Sequence, residues 1–163
     1  MNKPHAYILI GLPACGKSTW TEQRVAAGQH YAIVSSDAYI EAMAHAEQTT
    51  YSAVFDMYVG QADHYAQSVF DVAIEEKLNI IVDRTNVGKK SRKRWLETLR
   101  KNGYHVTAVV FRSPMNIEDL EPRLDSRVGK DIPWGVIKTM AAGLCWPTYD
   151  EGFDNVMIID SFA

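Results

Sequence analysis

Cysteine is scarce in this chain of 163 residues, which contains only Cys15 and Cys145. Two cysteines so far apart do not form the disulfide framework of a small secreted protein, and free thiols fit a reducing cytoplasm. The sequence also lacks an apolar run of the roughly 20 residues that a membrane span requires. Residues 1–4 are too few and too polar for a signal peptide. These absences predict a cytoplasmic protein that is neither secreted nor embedded in a membrane.

An excess of basic charge is missing as well. The chain has 17 Lys and Arg residues against 20 Asp and Glu residues, which gives a formal net charge of -3. Proteins that bind nucleic acid through their overall charge are strongly basic, so any polyanion site here must be local. The hydrophobic fraction of 47% is enough for one sizeable core. We therefore expect one domain over residues 1–163.

Short apolar runs alternate with segments of helical spacing along the whole chain. The helical spacing is clearest at Phe55, Val59, Ala62, Ala66, Val69 and Ala73, which recur every three or four residues. Five apolar runs predict β-strands, at residues 7–12, 31–35, 79–83, 105–111 and 156–159. The alternation predicts an α/β fold with a central parallel five-stranded sheet flanked by helices on both faces.

One motif points directly to a ligand. Residues 11–18 read Gly-Leu-Pro-Ala-Cys-Gly-Lys-Ser, the phosphate-binding loop pattern G-x-x-x-x-G-K-[ST], between a predicted strand and a predicted helix. The glycines let successive backbone N–H groups point at phosphate oxygens, beside the positive end of the helix dipole. The motif predicts that the chain binds a nucleoside triphosphate, with ATP as our candidate. The predicted contacts are Gly11, Ala14, Cys15, Gly16, Lys17, Ser18 and Thr19.

Two side chains of the motif have specific expected roles. Lys17 is expected to reach the β and γ phosphates, and the Ser18 hydroxyl to ligate a magnesium ion that bridges them. ATP and Mg²⁺ are therefore the predicted cofactors.

Two aspartates follow predicted strands and are expected to meet the phosphates, because ligands of open α/β sheets gather at the carboxyl ends of the strands. Asp83 ends the run Ile80-Ile81-Val82 and is predicted to orient the magnesium ion or its waters. Asp37 follows another such run, and we interpret it as the general base that takes the proton of an acceptor hydroxyl. The alternative for Asp37 is a helix N-cap.

Arg123 and Arg127 are four positions apart in a segment, residues 117–128, that we predict to be helical, so both would lie on one face. In a mobile lid, such a pair stabilises the charge on a transferring phosphoryl group. The alternative is surface ion pairing with Glu121 or Asp125.

Basic residues are concentrated between positions 84 and 130, where twelve of them face five acidic residues. The densest part is Lys89, Lys90, Arg92, Lys93 and Arg94, at the start of a predicted helix. Cations at a helix N-terminus are unfavourable because they oppose the helix dipole, so their presence there indicates that they bind an external anion. The alternative is that they form a solvated helix face. This local surplus suits a nucleic-acid acceptor better than a small metabolite.

Together these segments resemble the kinase domain of the polynucleotide 5′-hydroxyl kinase family over nearly the whole chain. Four blocks carry the resemblance: residues 11–19, 36–39, 83–86 and 123–133. The resemblance implies that Asp37 is the general base, that Arg123 and Arg127 contact ATP phosphates from a lid at about residues 116–133, and that Asp83 lies beside the reaction centre. It also implies an acceptor site formed by Ser36, Tyr39, Arg84, Thr85, Asn86 and Lys130.

One position departs from the enzymes that phosphorylate strand ends. Those kinases carry an arginine three residues after the catalytic aspartate, where this chain has Ile40. In this respect, and in residues 50–55, the chain is similar to small phage kinases that phosphorylate 5-hydroxymethyluracil in DNA during base hypermodification. Aromatic side chains could stack on such a base, although each could instead belong to the core. The candidates are Tyr39, Tyr51, Phe55 and Trp134.

The leading hypothesis is therefore a DNA kinase for a base hydroxymethyl group. The alternatives are a 5′-end polynucleotide kinase, a kinase for a small hydroxyl metabolite, and a nucleotide-gated interaction module.

Overall fold

The computed structural model describes residues 2–162, and at its centre lies one parallel sheet. The strands are β1 (His5–Ile10), β2 (Ala32–Val34), β3 (Ile80–Val82), β4 (His105–Phe111) and β5 (Asn155–Ile159). Their order is β2-β3-β1-β4-β5, and every neighbouring pair is parallel. The predicted α/β fold with a five-stranded parallel sheet is confirmed. β4 matches its predicted bounds, and the other four strands begin and end within two residues of theirs.

Helices connect these strands. They are α1 (Lys17–Ala26), α2 (Ser36–Ala46), α3 (Tyr51–Glu75), α4 (Lys89–Lys101), α5 (Glu121–Asp125) and α6 (Trp134–Ala142), with short 3₁₀ turns at Ile117–Leu120 and Tyr149–Glu151. Within residues 2–162, no helix is both long enough and apolar enough to cross a bilayer.

The start of α2 corrects one alternative for Asp37. The side chain of Ser35 caps this helix, because its Oγ accepts the backbone N–H of Ala38 at 3.2 Å. Asp37 lies in the first turn of α2 and is not the N-cap. Its carboxylate is therefore available for other partners.

The sheet is covered on both faces because the side chains of its strands alternate. Ile8 and Ile10 of β1 face one core, which α3 and α4 close with Phe70 and Trp95. Leu9 faces the other core, which α1 and α6 close with Trp20 and Ile137. Helices that follow the adjacent strands β1 and β3 thus cover opposite faces. Such a reversal opens a crevice at the carboxyl ends of the two strands, where ligands bind in α/β sheets.

Only part of the predicted stripe on α3 is buried. Ala62, Ala66 and Ala73 are at most 1% exposed, whereas Phe55 and Val59 are 37% and 41% exposed. The N-terminal part of α3 packs against α2 in a separate small core. A helical period shows which residues share a face. It does not show how far along the helix other elements cover that face.

The segment 117–128 is less helical than predicted. Helix α5 has five residues and ends at Asp125, so Arg127 lies beyond it in a turn. The following backbone docks on the start of α3: Ser52 donates its N–H to the Gly129 carbonyl at 3.0 Å, and Asp131 donates its N–H to Ser52 Oγ at 2.8 Å. Gly129 has φ 73°, and a Cβ there would lie 2.8 Å from Thr50 Cβ. This close contact places Lys130 next to α2.

Candidate active site

The phosphate-binding loop turns sharply after β1. Gly11 donates its N–H to the Thr85 carbonyl at 2.9 Å, and a Cβ on Gly11 would lie 2.9 Å from Phe111 Cβ. Ala14 and Gly16 have φ angles of 63° and 102°, and α1 begins at the next residue. Positive φ angles curl the chain, and the first N–H groups of a helix have no partner within the helix. The loop and α1 therefore form an anion-binding concavity.

Lys17 lies across this loop. Its Nζ donates to the carbonyls of Gly11 at 2.9 Å and Leu12 at 2.8 Å. Burial lowers the pKa of Lys17 to about 8, although the carboxylates of Asp83 and Asp37 act to raise it. The ammonium group is thus held at the loop, where partial desolvation strengthens its attraction to phosphate.

A cavity of about 550 Å³ opens above the loop. It brings together residues from β-strand ends, the loop and the lid segment that are distant in sequence. The predicted site residues that line it are Ala14, Gly16, Lys17, Ser18, Thr19, Asp37, Asp83, Arg84, Thr85, Arg123, Arg127 and Lys130. Gly11 and Cys15 are buried beneath it, and burial raises the pKa of the Cys15 thiol.

Asp37 is held by two elements besides its own helix. Tyr51 of α3 donates its hydroxyl to Asp37 Oδ1 at 2.7 Å, and Lys130 donates its Nζ to Oδ2 at 3.1 Å. Lys130 also contacts Glu41 Oε1 at 3.0 Å and lies 4.4 Å from the centre of the Tyr51 ring. Partial desolvation acts to raise the pKa of Asp37, but the Lys130 charge and these hydrogen bonds hold it below its usual value. The carboxylate is therefore ionised and oriented.

Asp83 follows β3 and is half-buried in the crevice. Burial raises the pKa of its carboxyl group, the charge of Lys17 acts against this, and the nearby charge of Asp37 adds to it. A cation at this position would lower that pKa and stabilise the ionised form.

A second cavity of about 430 Å³ adjoins the first. Seven residues line both cavities: Pro13, Asp37, Asp83, Arg84, Thr85, Lys130 and Ile132. The remaining wall is largely apolar and includes Ile40, Tyr51, Phe55, Val59, Val136 and Met140. Asp37 thus lies where the first cavity, above the phosphate-binding loop and called the phosphate cavity below, meets the second, largely apolar cavity.

Arg123 and Arg127, the predicted lid arginines, have different surroundings. Arg123 contacts the loop and the segment after β5, through Ala14, Ser161 and Phe162. Arg127 lies in the turn after α5 and lines the phosphate cavity. Among residues 2–162, neither forms an ion pair with Glu121 or Asp125, so that alternative is wrong.

A family model described as an AAA domain matches residues 7–145. The chain belongs to this AAA domain family. The fold of this AAA domain protein is also similar to that of a putative kinase from Chloroflexus aurantiacus, with a TM-score of 0.70, 15% identity, and coverage of 98% of this chain and 89% of that one.

Two further solved chains are longer than this one. A chain of the Pnkp1/Rnl/Hen1 RNA repair complex matches with a TM-score of 0.70 and 24% identity, over 88% of this chain and 45% of that chain. A chain of the PezAT toxin–antitoxin system of Streptococcus pneumoniae matches with a TM-score of 0.54 and 16% identity, over 77% and 54%. This AAA domain chain spans about half the length of both. At these identities the likeness shows a shared fold.

Three predicted acceptor residues of this AAA domain protein have structural partners. Arg84 lines both cavities but donates to Asp63 Oδ1 at 2.7 Å. Asn86 is 3% exposed and donates to the Leu9 carbonyl at 2.9 Å, which ties the loop after β3 to β1. Tyr39 donates to Gln61 Oε1 at 3.0 Å and lines neither cavity. Ser36 does line the second cavity.

The basic cluster at the start of α4 is not one surface. Arg92 is fully buried and donates to the carbonyls of Asn86, Val87 and Cys145 and to the carboxylate of Glu151. It therefore holds the loop after β3, where an external anion cannot reach it. The other predicted cations, Lys89, Lys90, Lys93 and Arg94, are exposed.

Sequence reasoning missed the hydrogen bond from Tyr51 to Asp37, the contact of Glu41 with Lys130, and the placement of Ser161 and Phe162 at Arg123. The sequence suggests only base stacking or a place in the core for Tyr51. Each contact joins residues that are distant in sequence or on different elements. The local pattern around them carries no signal of the pairing.

The residues present fit a magnesium ion held jointly with nucleotide phosphates. No group of three or more His, Cys, Asp or Glu side chains among residues 2–162 could hold a metal alone. Ser18 and Asp83 nevertheless place a hydroxyl and a carboxylate on the phosphate cavity. Mg²⁺ favours such hard oxygen ligands and fills its remaining positions with water and phosphate oxygens.

Proposed function

We propose that this protein is an ATP-dependent kinase that transfers the γ-phosphoryl group to a hydroxyl carried by nucleic acid, with the 5-hydroxymethyl group of 5-hydroxymethyluracil in DNA as the acceptor. The observation that carries the proposal is the position of Asp37. This carboxylate lies between a cavity built for phosphates and a cavity with apolar walls.

On the nucleotide side, the loop and α1 would hold the phosphates, and Lys17, Arg123 and Arg127 would neutralise them. Ser18 and Asp83 would hold Mg²⁺, directly or through water. When bound, that ion supplies charge neutralisation on the β and γ phosphate oxygens.

On the acceptor side, Asp37 would accept the proton of the attacking hydroxyl. The new bond joins the acceptor oxygen to the γ phosphorus, the bond from that phosphorus to the β–γ bridging oxygen breaks, and ADP leaves. Tyr51 and Lys130 each bind one oxygen of Asp37 and so fix the direction of the carboxylate. A base must be within hydrogen-bond reach of its proton, and a fixed carboxylate meets that demand more often than a rotating one.

The second cavity favours an uncharged acceptor group. Asp56 and Asp131 add negative charge to its lining. Its two cations are already paired, Arg84 with Asp63 and Lys130 with Asp37 and Glu41. Ile40 lies in its wall, at the position where strand-end kinases of the resembled family have an arginine. A nucleobase bearing a hydroxymethyl group suits this lining better than a sugar flanked by a phosphate.

One observation favours a second candidate, the 5′-end polynucleotide kinase. The fold is similar over 88% of this chain to a chain of an RNA repair complex. In this alternative another residue replaces the arginine missing at Ile40.

The deciding experiment measures phosphate transfer from γ-labelled ATP to two matched DNAs. One contains internal 5-hydroxymethyluracil and has every 5′ end phosphorylated, and the other is unmodified with free 5′ hydroxyls. We expect label in the first DNA only. Label in the second only establishes the end kinase, and label in neither, with ATP bound, excludes both DNA reactions and directs the search to RNA or a free hydroxyl metabolite.

A further inference from the structure

We propose that residues 160–162, which follow β5, form a latch that positions Arg123 at the phosphate cavity. In this assignment Ser161 and Phe162 are positioning residues for nucleotide binding. The inference rests on the proposed function, because it takes the ligand of Arg123 to be the phosphates of ATP.

Four contacts hold the guanidinium group of Arg123. Its Nη1 donates to Ser161 Oγ at 2.9 Å and to the Ala14 carbonyl at 3.3 Å. Its Nη2 donates to the Ser161 carbonyl at 2.8 Å. The Cζ atom lies 3.9 Å from the centre of the Phe162 ring, a cation–π distance. Three of these contacts come from the 160–162 latch and one from the phosphate-binding loop.

The latch is itself fixed to the loop. Ser161 Oγ accepts from Arg123 and donates to the Cys15 carbonyl at 3.3 Å, so one hydroxyl bridges the lid and the loop. Phe162 packs against the core beneath the loop and donates its N–H to Asp160 Oδ1 at 3.0 Å. Asp160 also lies 3.5 Å from the guanidinium of Arg112, which follows β4. The arginine is therefore held against the surface that would bind phosphate.

Helix α5 alone cannot hold the Arg123 side chain in one position. It has five residues, and none of them is buried. A long arginine side chain on such a segment loses rotamer entropy when it binds a ligand. Contacts made before binding remove part of that cost. Nη1 and Nη2 face the loop and the latch, whereas Nε makes no hydrogen bond within residues 2–162.

The test is the affinity for ATP with Mg²⁺, measured by calorimetry without any acceptor. We expect Phe162→Ala and Ser161→Ala each to weaken ATP binding about 3- to 30-fold, which covers the loss of a cation–π contact and the lower end of the loss of a hydrogen bond to a charged group. Phe162→Tyr keeps the ring and should bind as the unmodified protein does. Ile158→Ala, on the neighbouring strand β5, is the control for a general effect at this sheet edge and should change the affinity less than twofold.

A double-mutant cycle separates positioning from packing. In an Arg123→Ala background, Phe162→Ala should weaken ATP binding no further, because the residue on which it acts is gone. In wild-type background, the KM for ATP should rise with the Kd while the acceptor KM stays unchanged.

Two results would overturn the latch. A full additional loss in the Arg123→Ala background would show that Phe162 acts through the core. Tighter ATP binding in the Phe162→Ala variant would show that the latch holds Arg123 away from the phosphates. Failure of the proposed function looks different: the wild-type protein then transfers no phosphate to either DNA, while the calorimetric cycle still reports on the latch.

Discussion

Each carboxylate oxygen of Asp37 has a partner on a different element. Tyr51 comes from the first turn of α3, and Lys130 comes from the segment that docks on that turn through Ser52 and Gly129. The side chain of Asp37 remains 54% exposed, whereas that of Lys130 is 9% exposed. The two partners orient the aspartate without closing it off from an acceptor, which is the condition that a general base requires.

Replacement of Asp37 by asparagine tests this role. An amide keeps the size of the side chain but does not take up a proton at neutral pH. We expect kcat to fall about 10²- to 10⁴-fold, the usual contribution of a general base, with the Kd for ATP nearly unchanged. Glu41→Gln is the matched control, because Glu41 also contacts Lys130. The base assignment fails if both variants lose activity equally, or if Asp37→Asn keeps a tenth or more of the wild-type kcat.

Replacement of Tyr51 by phenylalanine tests the environment of Asp37. Partial desolvation acts to raise the pKa of Asp37, but the Lys130 charge and the Tyr51 hydrogen bond together hold it below its usual value. Loss of the Tyr51 hydroxyl therefore raises that pKa. Because only the ionised base is active, kcat/KM falls as the pH drops through the pKa, and the acidic limb of the profile must move to higher pH.

Tyr58→Phe provides the control for the pH profile. The hydroxyl of Tyr58 also bonds to a carboxylate, that of Glu47, but Tyr58 lines neither cavity. Its profile should match that of the wild-type protein. An unmoved acidic limb in the Tyr51→Phe variant would assign the limb to a group other than Asp37.

Helix α4 shows what an element adds to its residues. The sequence gives no sign that its basic residues differ. In the helix, however, Arg92 is buried in the core and Lys93 is exposed to solvent. The buried guanidinium joins three backbone carbonyls to the Glu151 carboxylate, whose oxygen Oε1 lies 2.9 Å from Arg92 Nε. It thus fixes the loop that begins at Asp83, and this loop forms part of the site.

Arg92→Met should therefore destabilise the fold. The substitution leaves buried carbonyls and the 11% exposed Glu151 side chain without their partner. We expect the free energy of unfolding in urea to fall by about 3–5 kcal/mol, as for other broken buried ion pairs. Lys93→Met, one position away and exposed, should change it by less than about 0.5 kcal/mol. Equal small effects of the two substitutions would contradict the structural role of Arg92.

The elements of this fold were readable from the sequence to different degrees. Strands covered on both faces are continuous apolar runs, so residues 105–111 predicted β4 at both ends and residues 7–12 predicted β1 with an offset of two residues. The loop motif at Gly11 to Ser18 likewise lies between a strand and a helix. The end of α5 before Arg127 and the exposed N-terminal part of α3 depend on docking between distant segments. Local periodicity does not encode such docking.

The whole molecule has a net charge of -3, yet its charges are sorted by position. Arg123 and Lys130 belong to the phosphate cavity and Arg92 to the core. Lys89, Lys90 and Lys93 remain exposed at the start of α4. Because α4 follows β3, its first turn lies on the side of the sheet where the strands have their carboxyl ends and where Asp83 lies. In the proposed function, the backbone of a polymeric acceptor would pass along these exposed lysines.

Salt dependence of DNA binding tests this arrangement. Each phosphate neutralised by a protein cation contributes about 0.9 to the slope of log K against log salt for duplex DNA. For a labelled duplex with internal 5-hydroxymethyluracil, the triple variant Lys89→Gln, Lys90→Gln, Lys93→Gln should bind more weakly, with a slope smaller by up to about 3. Its Kd for ATP should not change. The control triple Lys3→Gln, Lys77→Gln, Lys101→Gln removes the same charge at the opposite edge of the sheet and should keep the wild-type slope. Equal slopes for the two triples would mean that only the overall charge matters, and the polymer would then have to enter the site by another route.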